Sequence, residues 1–305
     1  MKDFLHGYIN ARQGSMKMDT NATVLLFACA FLYGCGNSGK SLHPVAVNGK
    51  YGYIDHAGKI AIPPQFDGAG DFGGGLAPVR TGGKWGYIEP GGRLTIVPQF
   101  DLADPFSEDG LAMVGVGGKL GYVKKNGQFA VNPMYDGAGE FGDHLAPVSV
   151  NGRWGYIDEK GTLAVNPQFD EASSFSEGMA AVRMGNVYGF IDKSGKLTIN
   201  PQFQLAGDFH DGLAVVKTAN RYGYIGRDGK MLINPQFDGA GDFREGLAVV
   251  AVGARFGYID KHGKFEINPQ FDRAGAFRDG IAPVWVNGRQ SYVNKDGKLV
   301  WGPAA

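Results

Sequence analysis

The sequence predicts an all-β fold: eight tandem three-stranded antiparallel units of about 34 residues forming an open β-repeat array, with a closed eight-bladed propeller-like ring as the alternative. Three observations carry this. The glycine of an aromatic-Gly-aromatic core recurs at Gly52, Gly86, Gly121, Gly155, Gly189, Gly223 and Gly257, with Ser291 in the eighth slot, at spacings of 34 residues and once 35. A fixed period in that range belongs to solenoids, propellers and related arrays. The chain also holds 50 Gly beside 20 Phe and 13 Tyr, a mixture that makes many tight turns and short strands and argues against long helices. Finally, Asn48-Gly49, Asn151-Gly152 and Asn287-Gly288 separate apolar runs; Asn-Gly is the strongest short hairpin signal because both residues accept positive φ.

The 305 residues carry 30 basic and 30 acidic side chains. A neutral balance excludes an electrostatically driven nucleic-acid binder, which needs an excess of cations to release counterions. The two cysteines, Cys29 and Cys35, both fall in an N-terminal apolar segment.

That segment is read first. Val24 to Tyr33 is an apolar run too short for a membrane span but of the length of a secretory hydrophobic region, with Lys17 before it. It ends in Leu32-Tyr33-Gly34-Cys35, which resembles the box of a bacterial lipoprotein signal, although Tyr33 stands where a small residue is usual. Residues 1–34 are therefore expected to be a signal peptide, with translation starting at Met16 or Met18, Cys35 the lipidated residue, and 35–41 a short tether. The mature chain then has no second thiol and no disulfide, so packing alone stabilises it.

Gly34 to Ser41 also fits G-x-x-x-x-G-K-[ST] letter for letter. That motif works only where a helix opens after the Lys and its N–H groups hold phosphates. Here Leu42-His43-Pro44 follows, Pro44 interrupts a first helical turn, and the repeats begin at once. We read the match as coincidental.

The β-repeat region spans 42–301. Each unit has a first strand of the type Leu76-Ala77-Pro78-Val79, a second such as Trp85-Gly86-Tyr87-Ile88, and a third such as Leu163-Ala164-Val165 closed by Pro-Gln-Phe. Lys160-Gly161, Ser194-Gly195 and Asp228-Gly229 turn the second strand into the third, and a connector with two aromatics, Phe66 and Phe72 for example, leads on. Alternation places Trp154 and Tyr156 on one face and Gly155 and Ile157 on the other. A glycine at a strand centre implies the close approach of a neighbouring backbone or ring. Pro44, Pro78, Pro147 and Pro283, third in the first strand, imply an edge or a bulge there.

These units resemble the bacterial WG-repeat (KWG-repeat) proteins through Lys84-Trp85-Gly86-Tyr87-Ile88 and Arg153-Trp154-Gly155-Tyr156-Ile157-Asp158, and through Pro-Gln-Phe-Asp, a downstream Phe and Gly-Leu-Ala-x-Val. Leu120 and Gln290 in the Trp slot, Met134-Tyr135 for Gln-Phe and Gln204 for Asp depart from the pattern. The family is defined by its repeat and carries no common reaction; the resemblance implies binding or scaffolding.

A residue type present in every unit is more consistent with construction than with chemistry, which needs one site. The Asp column (Asp67, Asp101, Asp136, Asp170, Asp238, Asp272) is expected to cap its own connector. The cations Lys50, Lys84, Lys119, Arg153, Arg221, Arg255 and Arg289 are expected to form a solvated edge stripe, and Glu177, Asp211, Glu245 and Asp279 to be solvated turn residues. His43, His56, His144, His210 and His262 lack metal or catalytic spacing. No catalytic residue, cofactor or metal is therefore expected. The one functional candidate is the aromatic slot, Tyr51, Trp85, Trp154, Tyr188, Tyr222 and Phe256: an internal ladder stacking unit on unit, or, facing water, a platform for a sugar or peptide. The expectation is a non-enzymatic lipoprotein of the bacterial cell envelope, outer-membrane in a Gram-negative host, touching the membrane only through its lipid and presenting a surface to a protein or glycan. The alternative is a carbohydrate-active or other hydrolytic enzyme in an irregular repeat.

Overall fold

In the second unit the strands Gly68–Ala69, Ala77–Thr81, Lys84–Ile88 and Leu94–Phe100 pair in that order as an antiparallel meander. The computed structural model describes residues 42–302; the signal segment, Cys35 and the tether lie outside the described residues. Among the described residues the strands form eight separate sheets, over 42–66, 68–100, 102–135, 137–169, 171–203, 205–237, 239–271 and 273–301. Separate short meanders are propeller-type blades. Of the two architectures expected, the propeller-like one is the one this sheet order matches.

The strand count per unit is corrected. All sheets but the first have four strands, because the connector after Pro-Gln-Phe pairs with the first strand of the next unit. In the second sheet that pairing is only Gly68↔Arg80 and Ala69↔Val79. It also overturns the edge reading for Pro78, Pro147 and Pro283, whereas Pro44 does lie on the edge strand of the three-stranded first sheet. Pro78 lies in a strand with partners on both sides, but beyond the two-residue pairing, where no neighbour needs its missing donor. Its carbonyl accepts from Gly70 N at 2.9 Å, and a Cβ on Gly70 would lie 2.8 Å from the proline ring.

The central glycine is explained by the third strand. Its pairing with the second shifts register twice, Trp85↔Phe100, Tyr87↔Ile96 and Ile88↔Leu94, so the backbone before Pro98 bulges over Gly86. A Cβ there would stand 2.4 Å from Ile96 O and 2.7 Å from Pro98 N. Ser291 in the eighth slot faces Gly302, where a Cβ would lie 2.4 Å from the Ser291 Oγ, so here the opposing residue is the one that lacks a side chain.

Contacts divide the chain into two units, one of residues 42–55 and 60–174, the other of 56–59 and 175–302. Both are built alike. In the first, Tyr87 is fully buried, stacks on Phe106 at 4.9 Å and donates through its hydroxyl to Asp104 O at 2.7 Å. In the second, Tyr224 stacks on Phe243 at 4.8 Å and donates to Gly241 O at 2.8 Å. Each such Tyr thus reaches from its own sheet to the connector strand of the next, and the apolar cores lie between consecutive sheets. An aromatic pair of this kind contributes about 0.5–1.5 kcal/mol beyond its buried area. Burial holds the Tyr53, Tyr87, Tyr122 and Tyr224 hydroxyls neutral far above the usual phenol range, and Tyr258 likewise. In the second unit, Gly58 of the His56–Lys59 turn lies against Val300 and Trp301.

Candidate functional site

The aromatic slot was the candidate surface, and every member of it is buried or half-buried. Trp154 and Tyr222 are buried; Tyr51, Trp85, Tyr188 and Phe256 are half-buried and pack on the cores between sheets. Each stands directly opposite the Phe of Pro-Gln-Phe, as Trp154 opposite Phe169. The Trp85 ring also runs over Gly68, where a Cβ would meet it at 3.2 Å, and carries the Arg80 guanidinium 5.8 Å from its centre. The slot is an internal ladder, so it offers no continuous aromatic strip to a sugar.

The Asp column and the cation column meet. Lys50 Nζ lies 2.6 Å from Asp67 Oδ1, Lys84 and Lys119 repeat the contact at 2.5 Å with Asp101 and Asp136, and Arg153, Arg221 and Arg255 repeat it with Asp170, Asp238 and Asp272. The second oxygen of Asp67 accepts from Gly82 N at 3.0 Å, and that of Asp101 from Gly117 N at 2.8 Å. Two expectations are corrected together. Six of the seven cations are paired and do not form a free stripe, and Asp67, Asp101, Asp238 and Asp272 each join the cation of the preceding sheet to the first hairpin of the next instead of capping a connector. The sequence shows both columns but not the stacking that brings them together. The Lys50 and Gly82 hydrogen bonds hold Asp67 below the usual carboxylate range, and those from Lys84 and Gly117 do the same for Asp101.

Two side-chain clusters escaped the sequence reading. In the second unit Asp208, His210 and Asp242 place ligand-type atoms within 4.8 Å of one another. There Arg244 Nη2 lies 2.8 Å from His210 Nε2, so the imidazole accepts a hydrogen bond from the guanidinium. His210 Nδ1 is 3.2 Å from Ser176 Oγ, which donates to Phe209 O at 2.5 Å. The guanidinium sits where a metal would need the imidazole lone pair, and the cluster is a polar plug. The signal was present in the repeat, since Ser176, His210 and Arg244 all occupy the position after the second connector Phe. In the first unit Asp109, His144 and Glu159 form a second such group.

A family model described as WG containing repeat matches residues 51–85, 85–119, 121–154, 154–188, 188–222, 222–254 and 256–289. The chain belongs to this family. No curated protein sequence matches the WG-repeat chain significantly. Solved structures resemble it in fold alone. BamB from Moraxella catarrhalis is 11% identical, covers 84% of this chain and 94% of its own, and superposes with a TM-score of 0.50. A eukaryotic initiation factor is 12% identical over 87% of this chain and 85% of its own, TM-score 0.55. The dihydro-heme d1 dehydrogenase NirN in complex with DHE is 14% identical over 86% and 72%, TM-score 0.56. The WG-repeat fold is thus shared by proteins of unrelated description, and function has to be argued from the surface.

On that surface the repeat breaks its own pattern with Pro63 in the first sheet and with large, exposed apolar side chains in the next two. The slot held by Asn132, Asn166, Asn200, Asn234 and Asn268 is Val97, 64% exposed, and the slot held by Gln65, Gln99, Gln168, Gln202, Gln236 and Gln270 is Met134, 62% exposed. Both lie on outer-edge strands, Leu94–Phe100 and Phe129–Tyr135, with exposed Leu94 and Phe129 at the strand starts. The strands are neighbours: Phe129 meets Phe100 edge-on at 6.3 Å, and Gly127 lies against Ile96.

Proposed function

We propose that the chain is a non-enzymatic scaffold of the bacterial cell envelope, lipid-anchored at Cys35, that binds a protein partner through the edge strands around Val97 and Met134. The observation that carries it is the replacement of exposed Asn and Gln by Val97 and Met134 on neighbouring strands. Isolated exposed apolar residues are ordinary, but apolar residues concentrated where the repeat prescribes amides mark an interaction surface. Met suits such a surface because its flexible thioether adapts to its partner. The buried aromatic slot argues against a glycan platform, and the lipid anchor rests on Leu32 to Cys35.

The test restores the repeat. The pair Val97→Asn and Met134→Gln puts the family's own residues back and should leave the fold intact. A photo-crosslinking residue at position 134 of the lipid-anchored protein should trap one discrete envelope protein, and Val97→Asn in that background should reduce the yield at least fivefold. Equal trapping from position 289, or binding to glycans alone, overturns the reading.

A further inference from the structure

We infer that Asp109, His144 and Glu159 form a site for a divalent transition-metal ion of the zinc class. The comparison that reveals it is internal to the repeat. In three places of the second unit an acidic turn residue accepts from the backbone N–H of a glycine 35 residues on and pairs with a cation 50 residues on. Glu177 does so with Gly212 and Arg227, Asp211 with Gly246 and Lys261, Glu245 with Gly280 and Lys295. Asp109 stands at the same position in the first unit. Its +35 residue is His144 and its +50 residue is Glu159. The glycine has become an imidazole, and the cation has become a second carboxylate.

The two exchanges converge on one point. His144 Nδ1 lies 2.8 Å from Asp109 Oδ1 and 2.8 Å from Glu159 Oε1, and His144 N donates to Asp109 Oδ2 at 3.2 Å. A single ring N–H cannot serve two carboxylates well at once. The Asp109 side chain is only 8% exposed, so a facing carboxylate in place of Lys or Arg brings two like charges together across the His144 ring. A divalent cation resolves both problems, because one imidazole nitrogen and two carboxylate oxygens are ligands of zinc-class ions and leave positions for water. The equivalent turns pair an acid with Gly at positive φ, whereas here Asp143 and His144 take φ of 53° and 71°. His is disfavoured in that conformation relative to Gly. At 76% exposure its ring faces solvent, so an ion reaches the site directly. The cluster around His210 in the second unit has the same ligand types but carries Arg244 against its imidazole, where a cation would need the ring's lone pair.

The decisive variants return the repeat to its own rule. His144→Gly and Glu159→Lys restore the residues found in the equivalent turns and preserve folding. Zinc titration of the full chain followed by calorimetry should show one site, with a thermal midpoint that rises with zinc. Each variant should weaken that site at least tenfold and abolish the zinc-dependent rise, while His210→Ala should leave both unchanged. Zinc binding should weaken as the pH is lowered, because metal ligands bind only in their deprotonated forms. No zinc binding at millimolar concentration, or the same affinity in His144→Gly and Glu159→Lys as in the wild type, overturns the inference.

Discussion

Gly155→Ala tests the construction rule of the repeat. The new methyl group would stand 2.4 Å from Val165 O, 2.6 Å from Pro167 N and 2.8 Å from Asn166 C. All three are backbone atoms, so no side chain can rotate away, and the third strand must retreat by about 1 Å to regain ordinary contact. That strand is pinned on either side of the bulge by Tyr156↔Val165 and Trp154↔Phe169. Overpacking of this kind costs about 1–3 kcal/mol, and one or two weakened ladder hydrogen bonds add about 1 kcal/mol each. The expected loss is about 2–5 kcal/mol. Urea unfolding followed by tryptophan fluorescence measures it, with an unchanged slope showing that the unfolded reference has not moved. Ser291→Gly is the control: it removes atoms from the equivalent slot instead of adding them, and the change should cost under about 1 kcal/mol. A loss below about 1 kcal/mol in Gly155→Ala would refute the close-approach argument.

Phe169, 3% exposed and opposite Trp154, should cost about 3–5 kcal/mol as Phe169→Ala by leaving a cavity; a denaturant melt showing under about 1 kcal/mol would contradict its place in the core. The folded pKa of Asp67 and Asp101 is depressed below 3.8, so their contribution is full above that value and is lost as pH falls through the folded pKa. Asp101→Asn should therefore lower the thermal midpoint at pH 6 and converge with the wild type toward pH 2, and parallel curves would count against the staple. The buried tyrosines have the opposite sign: their folded pKa is raised above 10.0, so their stabilisation is full below 10.0 and is lost as pH rises above it. Tyrosinate absorbance should appear together with loss of the β circular dichroism signal, and ionisation of Tyr53 or Tyr224 in a still-folded protein would argue against this. Cys35→Ala should abolish acyl labelling and membrane fractionation; unchanged fractionation would remove the anchor.

The sequence made the local rules legible. The 34-residue period, the Asn-Gly hairpins, the close approach at the central Gly and the buried Phe of Pro-Gln-Phe all follow from residue types at fixed spacing. The fourth strand was not legible because Gly68–Ala69 pairs over two residues only, too short to leave an alternation. The Asp67–Lys50 staple was hidden for another reason: both columns were visible, but the partner of each was set by how consecutive sheets stack. The Asp109–His144–Glu159 group depends on offsets of 35 and 50 residues, which acquire meaning only once the equivalent turns around Glu177, Asp211 and Glu245 have been seen. Histidine-to-histidine spacing carries no trace of His144's role, because its partners are set by the repeat and not by other histidines.

The hydroxyl that runs from Tyr87 to Asp104 O, and from Tyr224 to Gly241 O, spans 17 residues in both cases. It joins one copy to the next by a contact that recurs at six Tyr positions, Tyr53, Tyr87, Tyr122, Tyr156, Tyr224 and Tyr258. Unequal recombination that inserts or deletes one 34-residue period therefore leaves every remaining seam with a matching pair, so copy number is free to drift where contact chemistry is not. Phe190, without a hydroxyl, shows that the seam tolerates loss of the hydrogen bond as long as the ring contact stays: its ring meets Phe209 at 4.9 Å. Genes of this design are expected to lengthen and shorten by whole periods, while divergence accumulates at the turns and edges where this chain departs from its own pattern.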